Sequence, residues 1–168
     1  ALIAQREGDT EMAIDALDDG SVVIAGHQES PDFPNTVGKP AHAASMGNER
    51  TTVCKINAAG NQLEHANTFG GSDDWNGDYT GPGCLIWNPD GICYILGNTY
   101  STDYPMTVDA LQPTSIGGSD IFFVMYDINT GNVDYATYWG GSGEDYADCM
   151  ASNGEGLVCC GGSTYSED

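Results

Sequence analysis

Basic residues are almost missing from this chain. It has four, Arg6, Lys39, Arg50 and Lys55, against 25 acidic residues, for a formal net charge of -21. No Lys or Arg occurs anywhere from Ile56 to Asp168. Such a surface repels phosphate backbones and anionic lipid, which argues against nucleic-acid and membrane partners. It attracts cations, calcium above all, and it serves equally as a solvated acidic surface that keeps a protein soluble. Apolar runs long enough to span a membrane are lacking. So is a signal-peptide pattern, and the chain starts at Ala1 without Met, as a processed or trimmed product does. Six cysteines (Cys54, Cys84, Cys93, Cys149, Cys159, Cys160) include no CxxC pair, and His27, His42 and His65 lie far apart, so no zinc site is expected. A Gly-x-Ser-x-Gly elbow and a phosphate loop are missing too. Paired carboxylates are so frequent that no hydrolase dyad can be singled out. The sequence therefore predicts no catalytic residues and no firm cofactor.

What is present is glycine and repetition. Forty per cent apolar residues with 23 glycines and 7 prolines fit one folded, turn-rich domain. Helical spacing is scarce; only "TEMAIDALDD" could pass for a helix, and its counterpart "CLIWNPDG" argues for strand. Three segments align: "DDGSVVIAGHQESPDFPNTV", "PDGICYILGNTYSTDYPMTV" and "GEGLVCCGGSTYSED". Gly20, Gly91 and Gly156 correspond, as do Gly26, Gly97 and Gly162. "FGGSDDW" matches "WGGSGEDY", and "TTVCKIN" matches "FFVMYDIN". The period of about 65 to 71 residues is that of a repeat architecture.

Within the second copy four short strands are predicted, at 83–88, 92–98, 121–128 and 133–139. "NPDG" and "NTGN" supply the tight reversals between them. "ICYIL" and "IFFVM" are apolar on successive residues, as in a strand covered on both faces. Four antiparallel strands per repeat, hidden only against neighbouring repeats, describe a β-propeller blade. The expected fold is thus all-β, with propeller-type four-stranded blades in about two and a half repeats, incomplete as a single ring. The boundaries are an outer strand of a preceding blade at 1–5, repeat one at 6–68, repeat two at 69–138 and the first half of repeat three at 139–168.

The motifs "GGSGEDYAD", "CYILGNTYSTDYP", "GGSDIFFVMYD" and "YATYWGGSGEDY" resemble the bacterial β-propeller repeat named for seven-bladed propellers, the SBBP repeat. The likeness covers nearly the whole chain and is strongest from Phe69 to Asp168; in the first copy "REGDTEM" stands where the others have Gly-Gly-Ser. The resemblance implies a bacterial protein that is secreted or displayed at the cell surface, built of repeated blades. It implies no reaction.

Roughly two and a half blades cannot close a ring. The unfinished stack leaves strand edges and an apolar face to be covered by further blades of a longer chain or by other copies. A head-to-tail contact between copies makes a ring if its rotation closes and a filament if it does not.

Several residues are candidate ligands. Asp74, Asn76 and Asp78 carry the i, i+2, i+4 spacing of a calcium loop's first ligands. Tyr79 stands where that loop has Gly, no Glu follows at the right distance, and such a stretch also reads as a plain turn. The equivalent "SGEDYAD" offers Glu144, Asp145 and Asp148 at other spacings, and "DINTGNVD" is a hairpin turn. Cys149 and Cys160 face each other if their hairpin turns at 153–155, which would permit a disulfide. Tyr100, Asp103 and Tyr104, in the repeated "STDYP" link, suit a glycan contact; repetition of the motif is also explained by blade packing, with Phe33 or Tyr104 over the blade edge and Asp103 capping the turn. The leading expectation is a non-catalytic extracellular scaffold or adhesive module. The alternatives are a carbohydrate-binding propeller assisted by calcium, or a fragment of a propeller lyase or glycosidase.

Overall fold

The computed structural model describes residues 10–28, 33–36, 50–72 and 78–168. Among these are ten β-strands and no helix. Strands β1 (Thr10–Ala16), β2 (Val22–Gln28), β3 (Arg50–Ile56) and β4 (Leu63–Phe69) form one four-stranded sheet in chain order. Strands β5 (Asp78–Trp87), β6 (Ile92–Thr99), β7 (Asp120–Asp127) and β8 (Asn132–Trp139) form a second sheet of the same order. Strands β9 (Asp145–Ser152) and β10 (Val158–Thr164) make a two-stranded third sheet. Every pairing is antiparallel. The sheets stack in sequence, and among the described residues they do not close into a ring. The stretch "TEMAIDA" is strand β1, in line with its counterpart and against its helix-like spacing. The outer strand expected at 1–5 lies outside the described residues.

Turn chemistry explains the first set of repeated glycines. Gly20, Gly91 and Gly156 take φ of 84°, 96° and 93°, in the first hairpin turn of each sheet. That is left-handed backbone, which an L side chain enters only at a cost of about 1 kcal/mol or more.

Strand β6 shows why its apolar residues run consecutively. Cys93 and Ile95 belong to the core between the first and second sheets. Leu96 belongs to the core between the second and third, with Ile121, Phe123, Ala147, Met150 and Cys160. Both faces are covered, so alternation disappears. The larger core joins Val23, Ala25, Val53 and Phe69 of sheet one to Ile95, Phe122, Val124, Tyr126 and Tyr138 of sheet two. Phe69 stacks on Tyr126 with centroids 5.3 Å apart. Burying each such side chain contributes about 1.5–3 kcal/mol, which a lone sheet could not gain.

The polar groups around Tyr126 are paired. Asn67 Nδ2 donates to the Tyr126 hydroxyl at 2.9 Å, and that hydroxyl lies 2.8 Å from His65 Nε2. With the Asn67 amide donating, the hydroxyl proton is free to go to the ring nitrogen, and all three side chains are satisfied. The link after strand two is pinned alike in both full sheets: Thr36 N donates to Ala66 O at 2.9 Å, and Thr107 N to Ala136 O at 3.2 Å. The repeat is therefore one of contacts as well as of letters.

Candidate functional site

Three features recur or stand open at the joints between sheets. The first is a polar clasp. The N–H of Ser72, in the Gly-Gly-Ser turn that follows sheet one, donates at 2.8 Å to Asp103 Oδ1, which follows β6 of sheet two. Ser142 N–H donates to Asp168 Oδ1 at 2.9 Å in the same manner, and Ser142 Oγ adds a bond at 2.8 Å. Glycine is required beside the clasp, because a Cβ on Gly71 would run into Ser101 and one on Gly141 would come within 2.7 Å of Ser166 Cβ. Hydrogen bonds from Ser142 hold the exposed Asp168 carboxyl below its ordinary range.

Beside the second clasp lies an acidic cleft of about 310 Å³, flanked by Gly140, Gly141, Asp145, Ser166 and Asp168. Asp145 is buried, and burial alone would raise its pKa. Hydrogen bonds from the Thr164 side chain, the Gly141 N–H and the Ser166 hydroxyl outweigh that and hold it below the usual carboxylate range. Among the described residues no three His, Cys, Asp or Glu side chains form a metal-holding group.

The third feature is an apolar groove of about 260 Å³ between β8 and β10, lined by Leu111, Phe123, Tyr135, Trp139, Val158 and Cys160. Phe69 closes β4 opposite Thr51, as Trp139 closes β8 opposite Ile121. Phe69 is fully buried by the next sheet; Trp139 is 50% exposed. Val53 is likewise buried and its equivalent Phe123 only half-buried. The third sheet covers β5 to β7 and leaves the β8 side of this face open.

The residues singled out from sequence fall in different places. Asp74 and Asn76 lie outside the described residues, as does the Asp78 side chain; the Asp78 backbone opens β5 opposite Thr99. Tyr104 is 3% exposed and sits in the core between sheets one and two, stacked on Phe122 with centroids 4.5 Å apart, its hydroxyl 3.1 Å from Thr51 Oγ1. Its ring is thus turned away from the surface on which a sugar would stack. Phe33 is buried against Cys54 and Ala66. Asp103 caps the turn that follows sheet one instead of the turn in its own link. Tyr100 is half-buried; its hydrogen bond with Tyr146, together with the bond that the Tyr146 hydroxyl donates to Glu144 Oε2, pushes the Tyr146 hydroxyl pKa up. The structure does not bring Cys149 and Cys160 together. The turn holding Gly154 and Gly156 at positive φ sets the register one residue from that expected, so Cys149 faces Gly161 and Cys160 faces Met150. Adjacent register positions point to opposite faces, and both thiols are free.

Sequence reasoning passed over Asp120, Ser119 and Trp139. The signal for Asp120 was available: it occupies the strand position that Arg50 holds in the first repeat, so the charge at one place changes sign between copies. No helix among the described residues is long and apolar enough to cross a membrane. No protein-family model matches the chain, and no curated protein matches it.

Proposed function

We propose that this chain is a stretch of β-propeller-type blades of the SBBP kind, a non-catalytic extracellular scaffold or adhesive module that works by stacking blade on blade. Its open face is covered by the outer strands of a further blade, belonging to the same chain or to another copy. The observation that carries this reading is the pair Phe69 and Trp139: one position in the repeat, buried where the following sheet covers it and half-exposed where the third sheet leaves the β8 side open. Burying the groove side chains would contribute about 25 cal/mol for each Å² removed from water, which favours a covering strand over water. The edge of β10, which pairs only with β9 among the described residues, offers backbone groups to that strand. The acidic surface fits a soluble, displayed module and opposes nucleic-acid partners.

Light scattering on the purified chain tests this. The solution should be at physiological ionic strength, where a Debye length of about 8 Å screens the repulsion between acidic copies. Self-association at tens of micromolar is expected, with Trp139→Asp weakening it at least tenfold. A folded chain that stays monomeric at every concentration, with Trp139 open to acrylamide quenching throughout, would remove assembly between copies and leave a further blade of the same chain as the cover.

A further inference from the structure

Where β7 and β9 begin, two carboxylates from different sheets meet over a glycine. Asp120 is completely buried. Its Oδ2 accepts the N–H groups of Ile116 at 2.9 Å and Gly117 at 3.4 Å. Its Oδ1, equally buried, has no hydrogen-bond partner. Asp145, 3% exposed, turns Oδ2 to the same place while accepting from Gly141 N at 2.8 Å and Ser166 Oγ at 2.9 Å. The meeting point is the hollow left by the missing side chain of Gly140. A Cβ there would collide with Asp120 Oδ1 and stand 2.8 Å from Asp145 Oδ2. Ser119 Oγ, next in sequence to Asp120, is also buried without a partner.

Two carboxylates held together out of water need a positive charge or a shared proton. The first joint carries different charges at the corresponding strand positions. Arg50 opens β3 opposite Gln28 as Asp120 opens β7 opposite Thr99. Asp78 opens β5 opposite Thr99 as Asp145 opens β9 opposite Thr164. The first joint therefore has one cationic and one anionic residue at these positions, and the second has two anionic ones. No Lys or Arg follows Lys55, so this part of the chain has neither to offer. A cation from solution would supply the missing charge.

We propose that a hard divalent cation of the calcium class binds at the second joint between Asp120 Oδ1 and the Asp145 carboxylate, in place of the arginine that the first repeat supplies. Carboxylate oxygens are hard donors suited to calcium, which takes six to eight oxygen ligands. The adjoining cleft of about 310 Å³ has room for the waters that complete such a shell. With two protein carboxylates and water for the rest, the affinity falls in the range of extracellular modules, Kd about 10⁻⁴–10⁻³ M. Because Asp120 belongs to sheet two and Asp145 to sheet three, the ion ties one blade to the next. This site is distinct from the Asp74, Asn76 and Asp78 loop.

Calcium titration of the whole chain, freed of metal with a chelator, tests the assignment by calorimetry and thermal unfolding. Saturable binding at about millimolar Kd and a rise in melting temperature are expected. Asp120→Asn should weaken binding at least tenfold, and in calcium-free buffer it should melt no lower than wild type, since the amide keeps an acceptor for Ile116 and Gly117 and removes a charge. Asp145→Asn should weaken binding similarly; if it does not fold, Asp120→Asn decides alone. Asp74→Asn should leave this binding unchanged. Calcium binding that survives Asp120→Asn undiminished overturns the proposal. So does the lack of any response at about 10 mM calcium, which would assign the pair to a shared proton.

Discussion

Mild acid should weaken this fold, and His65 sets the window. Its ring is 5% exposed, with Nε2 2.8 Å from the Tyr126 hydroxyl. Burial lowers its pKa from 6.5 to about 4; Asp127 pulls it upward and Lys55 downward, without reversing the shift. In the unfolded chain the imidazole titrates near 6.5. Between these values the unfolded state takes up a proton that the native state refuses, so stability is full above pH 6.5 and is lost as pH falls toward 4. The ceiling is about 1.4 kcal/mol per pH unit. The ring lies between two sheets near solvent-facing charges, so half that figure is a better guide, or roughly 1–2 kcal/mol by pH 4.5. Against a typical total of about 5–15 kcal/mol this is measurable. The net charge of -21 works in the opposite direction, because protonating surface carboxylates relieves self-repulsion. The comparison must therefore be with His65→Gln, which shares that background and does not titrate. Urea unfolding of both proteins from about pH 7 to about pH 4.5 should show wild type losing ground to the variant by that amount. A difference that stays flat, or moves in favour of wild type, would refute the reasoning.

Two further outcomes follow from the same geometry. Gly91→Ala puts a side chain at φ 96° and against the Asn129 amide, so a loss of about 1–3 kcal/mol in chemical denaturation is expected, whereas a neutral result would mean the turn can reorganise. Thiol labelling of the native chain should be fast at the exposed Cys149 and Cys159 and should fail at buried Cys93, where burial, aided by Asp15 and Asp127, pushes the thiol pKa up to about 12; rapid labelling of Cys93 would show that the core between the sheets opens.

The strands were legible because repetition compensates for weak local signals. A lone "ICYIL" is ambiguous between buried helix and buried strand, but the same glycine at the same offset in three copies marks a hairpin turn three times. "TEMAIDA" shows the limit of periodicity, since its helix-like spacing gave way to pairing with β2. The joints were harder to read. Asp103 looked like a cap for its own turn, and only the stacking of sheet two on sheet one brings it to Ser72. Tyr104 had the composition of a sugar-stacking residue and proved to be interior, because the link that carries it folds back over Phe122. The hairpin register missed by one residue, since two glycines at positive φ lengthen the turn by an amount that spacing alone does not specify. The Asp120 site was hidden for a related reason: a carboxylate in a chain with 25 acidic residues draws notice only once its burial is known.

The clasp between repeats has a consequence for how such a protein can change. At each joint the donor is a main-chain amide, which any residue in place of Ser72 or Ser142 other than proline would still provide, and the acceptor is the Asp103 or Asp168 carboxylate. One side of the lock costs the sequence nothing to keep, and the other depends on a single letter. A unit copied in tandem brings its own lock and its own key. Length can therefore vary through duplication or deletion of whole units, with no need for two surfaces to adapt to each other afterwards.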